Sequence, residues 1–373
     1  MSVSESKHDA YAAAGVDYGA MDPGKVRAQR SAAATARWLS ARGASEVEES
    51  RGESAYVIEL PDRYLSMVTE ALGTKNLVAD AVRPITGRTF YDHIARDTVA
   101  TILNDLCSVG GSPLAITAYW GSGSSSWFED EQRMADLTDG WAAACNEARC
   151  AWGGGETQAL TGMIEPSTLV LGGSAVGNVG RDQLLVGSKL QPGDVMLGAR
   201  STGIHANGLS LARKLAGEQA KGYETLVPGD PKGRGIGEVL LDPSPLYGPV
   251  VEALQQKSIQ LHYAAHVTGH GWRKLMRAPS ALSYVVETIP DVPPVLRLLR
   301  ELAKMDDAEA YGTFNMGLGY VFFVAPADAD RALEVAKHAG VELLRLGYVE
   351  QGPKRVQIKP LGVVFDDTSL QIR

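Results

Sequence analysis

Glu70, Gly73, Thr74 and Lys75 fall within six consecutive positions. A carboxylate can hold a cation, a glycine lets backbone approach a ligand, and a hydroxyl and an ammonium suit phosphate oxygens. The same residues also make an ordinary surface turn, so the rest of the chain decides between the readings. Asn104 and Asp105 sit in the last half of a helical stretch; solvent-facing residues are the common reading there, while their place between apolar turns suggests a cleft wall. Trp152-Gly153-Gly154-Gly155-Glu156-Thr157 combines backbone freedom with an acid able to hold a metal-bound phosphate; a tight turn is the plainer alternative. His205 and Asn207 precede Gly208 and a helical run whose free N–H groups attract an anion. His266, Thr268 and His270 share a glycine loop, and two histidines without a third ligand do not predict a metal centre.

The elements that must position these groups follow from periodicity. Tyr56 to Leu60 and Tyr64 to Val68 predict a strand pair, the second strand delivering Glu70 into a loop that breaks at Gly73. Ala95, Val99, Ile102, Leu103, Leu106 and Val109 have helical spacing, stopped by Gly110-Gly111. Pro113 to Trp120 predicts a strand, Gly121 to Ser126 a flexible connection or lid, and Asp130 to Ala148 a helix. Ser167 to Gly177, a small-residue strand, closes a first domain taken as residues 1–179. The second domain, 180–373, opens at the Gln191-Pro192-Gly193-Asp194 turn and the strand Val195 to Ala199. Helices from Leu209, Leu246 and Leu296, strands at Ile259 to Tyr263 and Tyr320 to Val324, then a helix and two strands, predict a split βαβ layer. Ahead of all this, Lys25 to Ala41 has helical spacing, and Gly15-Val16-Asp17-Tyr18 could order on a partner.

Bulk properties restrict the function. At 373 residues with 45% hydrophobic and 21% charged content, the chain suits two globular domains of class α/β (α+β). Its net charge of -8 and lack of a basic run exclude nucleic acid as a partner, while a small phosphorylated ligand can still be met locally. No apolar run is long enough to span a bilayer, so no membrane partner is expected. Cys107, Cys145 and Cys150 form no CxxC pair and lie in apolar helical patterns, which predicts buried thiols in a reducing cytoplasm.

In order along the chain, Gly15-Val16-Asp17, Gly73-Thr74-Lys75, Asn104-Asp105-Leu106, Gly154-Gly155-Glu156-Thr157, Gly203 to Gly208 with Leu211 to Lys214, Ala265 to Gly269, and Thr313-Phe314-Asn315 with Gly317 and Gly319 resemble aminoimidazole ribonucleotide synthetase, the phosphoribosylformylglycinamidine cyclo-ligase of purine synthesis. The resemblance implies two α/β domains, a homodimer formed through the N-terminal sheets, ATP and Mg²⁺, and a phosphoribosyl amidine substrate. It implies that Glu70, Asp105 and Glu156 hold metal, and that Gly73, Thr74, Lys75, Asn104, Glu156, Thr157, Asn207 and Thr268 contact the nucleotide. His205, His266 and Asp105 become the catalytic candidates, with His266 as a substrate-cleft residue and proton carrier.

The family's usual Asp-Gly-Val-Gly-Thr-Lys is here Glu70-Ala71-Leu72-Gly73-Thr74-Lys75, its Thr-Gly-Gly-Gly is Thr268-Gly269-His270-Gly271, and its Pro-Thr-Arg is Pro243-Ser244-Pro245. Two alternatives therefore stand beside the cyclo-ligase: a paralogue that phosphorylates another amide or acid, and a non-catalytic nucleotide-binding scaffold. Among the siblings, selenophosphate synthetase would want an N-terminal cysteine and the hydrogenase maturation relative a C-terminal one, where this chain has Gln371-Ile372-Arg373; thiamine monophosphate kinase fits the motif order less well.

Overall fold

The computed structural model of the chain describes residues 18–370. The expected partner-ordering patch at Gly15, Val16 and Asp17 lies outside them. Helices α1 (Tyr18–Ala33) and α2 (Arg37–Ser40) lead into strands β1 (Ser45–Glu46), β2 (Tyr56–Glu59) and β3 (Tyr64–Ala71). Then come α3 (Asn76–Thr86), α4 (Tyr91–Ser108), β4 (Ser112–Ser122), α5 (Glu131–Glu147), β5 (Ala151–Ala159) and β6 (Leu169–Val179). The six strands form one sheet in the order β1-β2-β3-β6-β4-β5.

One face of that sheet packs on α4, and the other is open. On β3 the buried residues are Ser66 and Val68, while Met67 and Thr69 point outward. Small residues set the close fit: a Cβ on Gly111 or Gly177 would collide with Ser66 and the Leu106 turn of α4. Most of α4 is buried, Asn104 and Asp105 included, because the helix is covered by the sheet, α5 and the second half of the chain together. Asp130 caps α5, accepting from the Arg133 N–H at 3.0 Å.

The second half contains β7 (Val195–Arg200), α6 (Leu209–Gly217), α7 (Ile236–Leu240), α8 (Gly248–Gln256), β8 (Leu261–His266), β9 (Leu282–Val286), α9 (Pro294–Ala303) and α10 (Asp307–Thr313). It ends with β10 (Leu318–Val324), α11 (Ala329–His338), β11 (Leu343–Gln351), β12 (Arg355–Ile358) and β13 (Val363–Asp366). Its sheet order is β13-β12-β9-β11-β7-β10-β8. β10 lies antiparallel between β7 and β8, and β7 lies antiparallel between β10 and β11, so each βαβ crossover is split by an intervening strand.

Three sequence expectations change here. Glu70 does not leave its strand, since β3 runs on through Glu70 to Ala71. Gly153 to Gly155 form no ligand-wrapping loop; they belong to β5, the edge strand, paired in parallel with β4. The glycine requirement is one of packing, because a Cβ at Gly155 would run into the Ala118 backbone. The expected flexible loop after Trp120 is also mostly ordered, as Gly121 and Ser122 finish β4 and Ser125–Glu129 make a short 3₁₀ turn.

Candidate active site

α4 is the element that both halves share. Its polar face, His93, Asp97 and Asn104 at helical spacing with Arg96 alongside, grips the backbone of residues 241–247. The His93 ring is 2.8 Å from Leu241 O, Arg96 donates to Ser244 O, and Asp97 accepts from Ser244 N at 2.7 Å. Asn104 donates to Pro245 O at 2.9 Å and accepts from Tyr247 N at 2.8 Å. Lys75, at the start of α3, is wholly buried in the same seam, 2.5 Å from Asp97 and donating to Asp242 O at 2.9 Å.

One residue beyond Asn104, Asp105 faces β8. The His266 ring nitrogen Nδ1 lies 2.6 Å from Asp105 Oδ1, with both side chains buried. Burial alone would raise the Asp105 carboxyl. The His266 hydrogen bond, supported by the charges of Lys274 and Arg277, outweighs it and holds Asp105 below its ordinary value.

Asp105 and Glu70 line one cavity of about 280 Å³. Its wall continues through Thr101, Asn207 and Thr268, and its cationic side is Lys25, Lys274 and Arg277, with Glu53 and His270 between. Burial, then the neighbouring Asp105 charge, pushes Glu70 up to about 7. Burial, then the Arg277 charge, brings Lys274 down to about 8 against the pull of Asp105 and Glu70. His270 is pushed down to about 4 by burial and then by Lys274, which makes it a neutral wall residue. Arg277 is fixed by Gly52 O at 2.8 Å and Ser54 Oγ at 2.6 Å, and Glu53 accepts from the Tyr263 hydroxyl at 2.9 Å.

Of the residues singled out from the sequence, Glu70, Asp105, Asn207 and Thr268 meet at this cavity. Lys75 and Asn104 do not, because they are committed to the seam. Gly73 and Thr74 lie in the turn before α3, Gly73 at φ +79, and neither lines the cavity. Glu156 and Thr157 are displaced furthest. Glu70 pairs with Gly173, Gly173 with Ala118 and Ala118 with Gly155, so the neighbouring Glu156 stands three strand spacings from Glu70, about 14 Å. One ion cannot be held by both.

His266 stands behind Asp105 and is not on the cavity wall, contrary to its expected place in a substrate cleft. His205 is buried at φ +59, and its Nε2 accepts from Thr202 N at 3.2 Å. Burial, with His266 and Lys75 nearby, pushes His205 well below its ordinary value, so this imidazole is neutral and already engaged as an acceptor. All three thiols are buried as expected; burial raises Cys145 to about 12 and Cys150 to about 11, and Cys107 higher still.

The sequence reading passed over Glu53, Lys274 and Arg277. A signal for the last two is present, since Arg273, Lys274 and Arg277 fall within the six residues after the Thr268 to Gly271 loop.

Two converging carboxylates suit magnesium, which takes one or two from protein and the rest of its shell from water and phosphate. Among the described residues no group of three or more His, Cys, Asp and Glu side chains forms an all-protein cage, for this or any other metal. The Glu70 and Asp105 pair therefore fits an ion that arrives with a phosphate ligand.

Both halves of the chain are similar to known proteins. The AIR synthase related protein N-terminal domain matches residues 52–179, and the corresponding C-terminal domain matches residues 191–359. Phosphoribosylformylglycinamidine cyclo-ligase of Methanococcus maripaludis is 32% identical over 304 residues, 80% of this chain and 82% of the relative. That of Lachnospira eligens is 31% identical over 307 residues, 82% and 86% of the two chains. In fold, the chain is similar to the hydrogenase maturation protein HypE in complex with ATP (TM-score 0.56, 18% identity, 81% of this chain and 83% of that one). It is also similar to thiamine-monophosphate kinase from Stenotrophomonas maltophilia (TM-score 0.56, 20% identity, 82% and 90%). With both domains matched and relatives above 30% identity across four fifths of its length, the protein belongs to the AIR synthase related family.

Proposed function

We propose that the chain is an ATP-dependent cyclo-ligase that converts formylglycinamidine ribonucleotide to aminoimidazole ribonucleotide, ADP and phosphate. The observation that carries this reading is the convergence of Glu70 and Asp105 with Lys274 on one cavity, in a chain whose relatives bear the cyclo-ligase name.

The chemistry asks little covalent work of the protein. The γ-phosphoryl group of ATP passes to the formyl amide oxygen and turns a poor leaving group into a good one. The amidine nitrogen then attacks that carbon, the C–N bond forms, the C–O bond breaks, and phosphate leaves as the nitrogen loses its proton. Positioning and charge neutralisation are what the site must supply. Glu70 and Asp105 would hold Mg²⁺, which when bound neutralises phosphate charge. His266 fixes the carboxylate of Asp105 through its Nδ1–H, and thus acts through Asp105 and not on the substrate. Asn207 and Thr268 offer an amide and a hydroxyl at the cavity wall for orienting the substrate.

The cavity shares Glu70 and Ala71 with a broad groove of about 800 Å³ along the open face of the first sheet. Met67, Leu114 and Val170, 46%, 51% and 41% exposed, lie on strands of that sheet. Apolar side chains left out of the core there support a homodimer formed through this sheet.

The test is phosphate release by the purified chain with Mg²⁺ and ATP, with and without formylglycinamidine ribonucleotide, together with detection of the imidazole product. One imidazole per phosphate, dependent on the ribonucleotide, is the expected result. Nucleotide binding without imidazole would exclude the cyclo-ligase and leave a paralogue acting on another amide or acid.

A further inference from the structure

We infer that Lys274 is a phosphate-binding residue of this cavity, the counterpart on the anionic side of the ligand to what Glu70 and Asp105 are on its cationic side. The inference rests on the cyclo-ligase reading, or on any reading in which the ligand is a metal-bound phosphate.

The charged side chains of the cavity divide by whether the protein already satisfies them. Glu53 accepts from Tyr263 and faces Arg277 at 3.9 Å. Arg277 is bound to Gly52 and Ser54. Asp105 is held by His266, and Lys25 is paired with Asp22 at 3.2 Å. Among the described residues Lys274 has no hydrogen-bond or ion-pair partner, although it is half-buried and lines the cavity. Glu70 likewise has no side-chain partner among the described residues; its neighbour Ala71 supplies only a backbone N–H.

One ammonium and one carboxylate thus remain uncommitted across the same small space, too far apart to pair with each other. A charge partly withdrawn from water and left without a partner is unfavourable, so two of opposite sign left unpaired in the free protein favour a ligand that meets both. A metal–phosphate ligand carries both signs. Bound there, it satisfies the carboxylates with its cation and Lys274 with its phosphate oxygens, and a lysine suits this task as a compact charge with three donors. Position supports the assignment: Lys274 follows the Thr268 to Gly271 loop in the short 3₁₀ turn Gly271–Met276, whose Trp272, Leu275 and Met276 are buried and anchor the backbone.

The phosphate could be that of the nucleotide or that of the ribose ring, and the experiment separates them. The full chain, wild type, K274M and K274R, is titrated calorimetrically with Mg²⁺–ADP and, separately, with ribose 5-phosphate. A charge-assisted hydrogen bond of about 1.5–3 kcal/mol corresponds to roughly 10- to 150-fold in affinity. K274M is expected to weaken one of the two ligands by at least tenfold while leaving the other within twofold, and K274R to recover most of the loss. Loss of Mg²⁺–ADP assigns Lys274 to the nucleotide; loss of ribose 5-phosphate assigns it to the substrate. Wild-type binding that K274M leaves within twofold for both ligands overturns the assignment of Lys274 alone. A wild-type chain that binds neither ligand removes the parent reading and this inference with it. If K274M does not fold, acylation of lysines in the wild-type chain decides the point: Lys274 must be protected by saturating ligand, and equal labelling with and without ligand overturns the inference.

Discussion

His266 on β8 and Asp105 on α4 meet at 2.6 Å across the junction of the two halves of the chain. This pair ties the orientation of a cavity carboxylate to the strand that leads into the Thr268 loop. With Nδ1 committed as the donor, the imidazole fixes which Asp105 oxygen faces away from it. D105N is expected to lower turnover at least a hundredfold with the fold intact by near-ultraviolet circular dichroism. H266A should weaken metal-dependent nucleotide binding by about 10- to 100-fold. Turnover unchanged in D105N would remove Asp105 from the site.

Lys75 and Asp97, both fully buried at 2.5 Å, give a different kind of prediction. Removing one partner of a buried pair leaves an uncompensated charge and costs about 3–5 kcal/mol. K75M should therefore lower the midpoint of urea unfolding sharply, and K75M combined with D97N should recover part of the loss. If Lys75 instead served the nucleotide, K75M would lose nucleotide affinity and keep its unfolding midpoint.

That contrast shows where the sequence could be read and where it could not. Strands and helices were legible because β3 alternates and α4 carries an apolar stripe with a glycine stop. Glu70, Asp105, Asn207 and Thr268 reach the cavity from near an element's end or from beside a glycine loop, where backbone leaves room for a ligand. Lys75 and Asn104 look the same in sequence, yet their partners are the carbonyls of Asp242 and Pro245, 167 and 141 residues away. Polarity identifies a group that needs a partner, and it does not say whether the partner is a ligand or the protein's own seam. The Gly153 to Gly155 run fails for a related reason: glycine admits a close approach, and here the approaching group is the Ala118 backbone.

Glu70 predicts a pH dependence of stability. Its folded value is about 7 against an ordinary 4.5, so between those limits the folded chain retains a proton that the unfolded chain has released. Stability must then fall as pH rises through the window, by at most about 3 kcal/mol. E70Q removes this contribution. The melting temperature of E70Q relative to wild type should rise by a few degrees between pH 5 and pH 8, with no added metal. Asp105 and Lys274, the groups facing Glu70, are common to both chains. A difference that stays flat across this range would mean that Glu70 is solvated and not an uncompensated carboxylate.

Gly319 explains how the second sheet holds the site loops. It lies on β10, and Val267 N donates to its carbonyl at 3.0 Å. A Cβ there would strike the Tyr247 hydroxyl and come within 3.0 Å of His205 Cε1. The Tyr247 hydroxyl donates to Arg200 O at 2.8 Å, so G319A must break that bond or shift the turn carrying His205, Ala206 and Asn207. Overpacking of this kind costs about 1–3 kcal/mol. Y247F removes the atom that the new methyl group meets first. G319A should therefore cost less in the Y247F background than in the wild type, as measured by a double-mutant cycle in urea. Strict additivity would show that the clash is relieved elsewhere, and that Tyr247 does not set the spacing between β10 and the Asn207 turn.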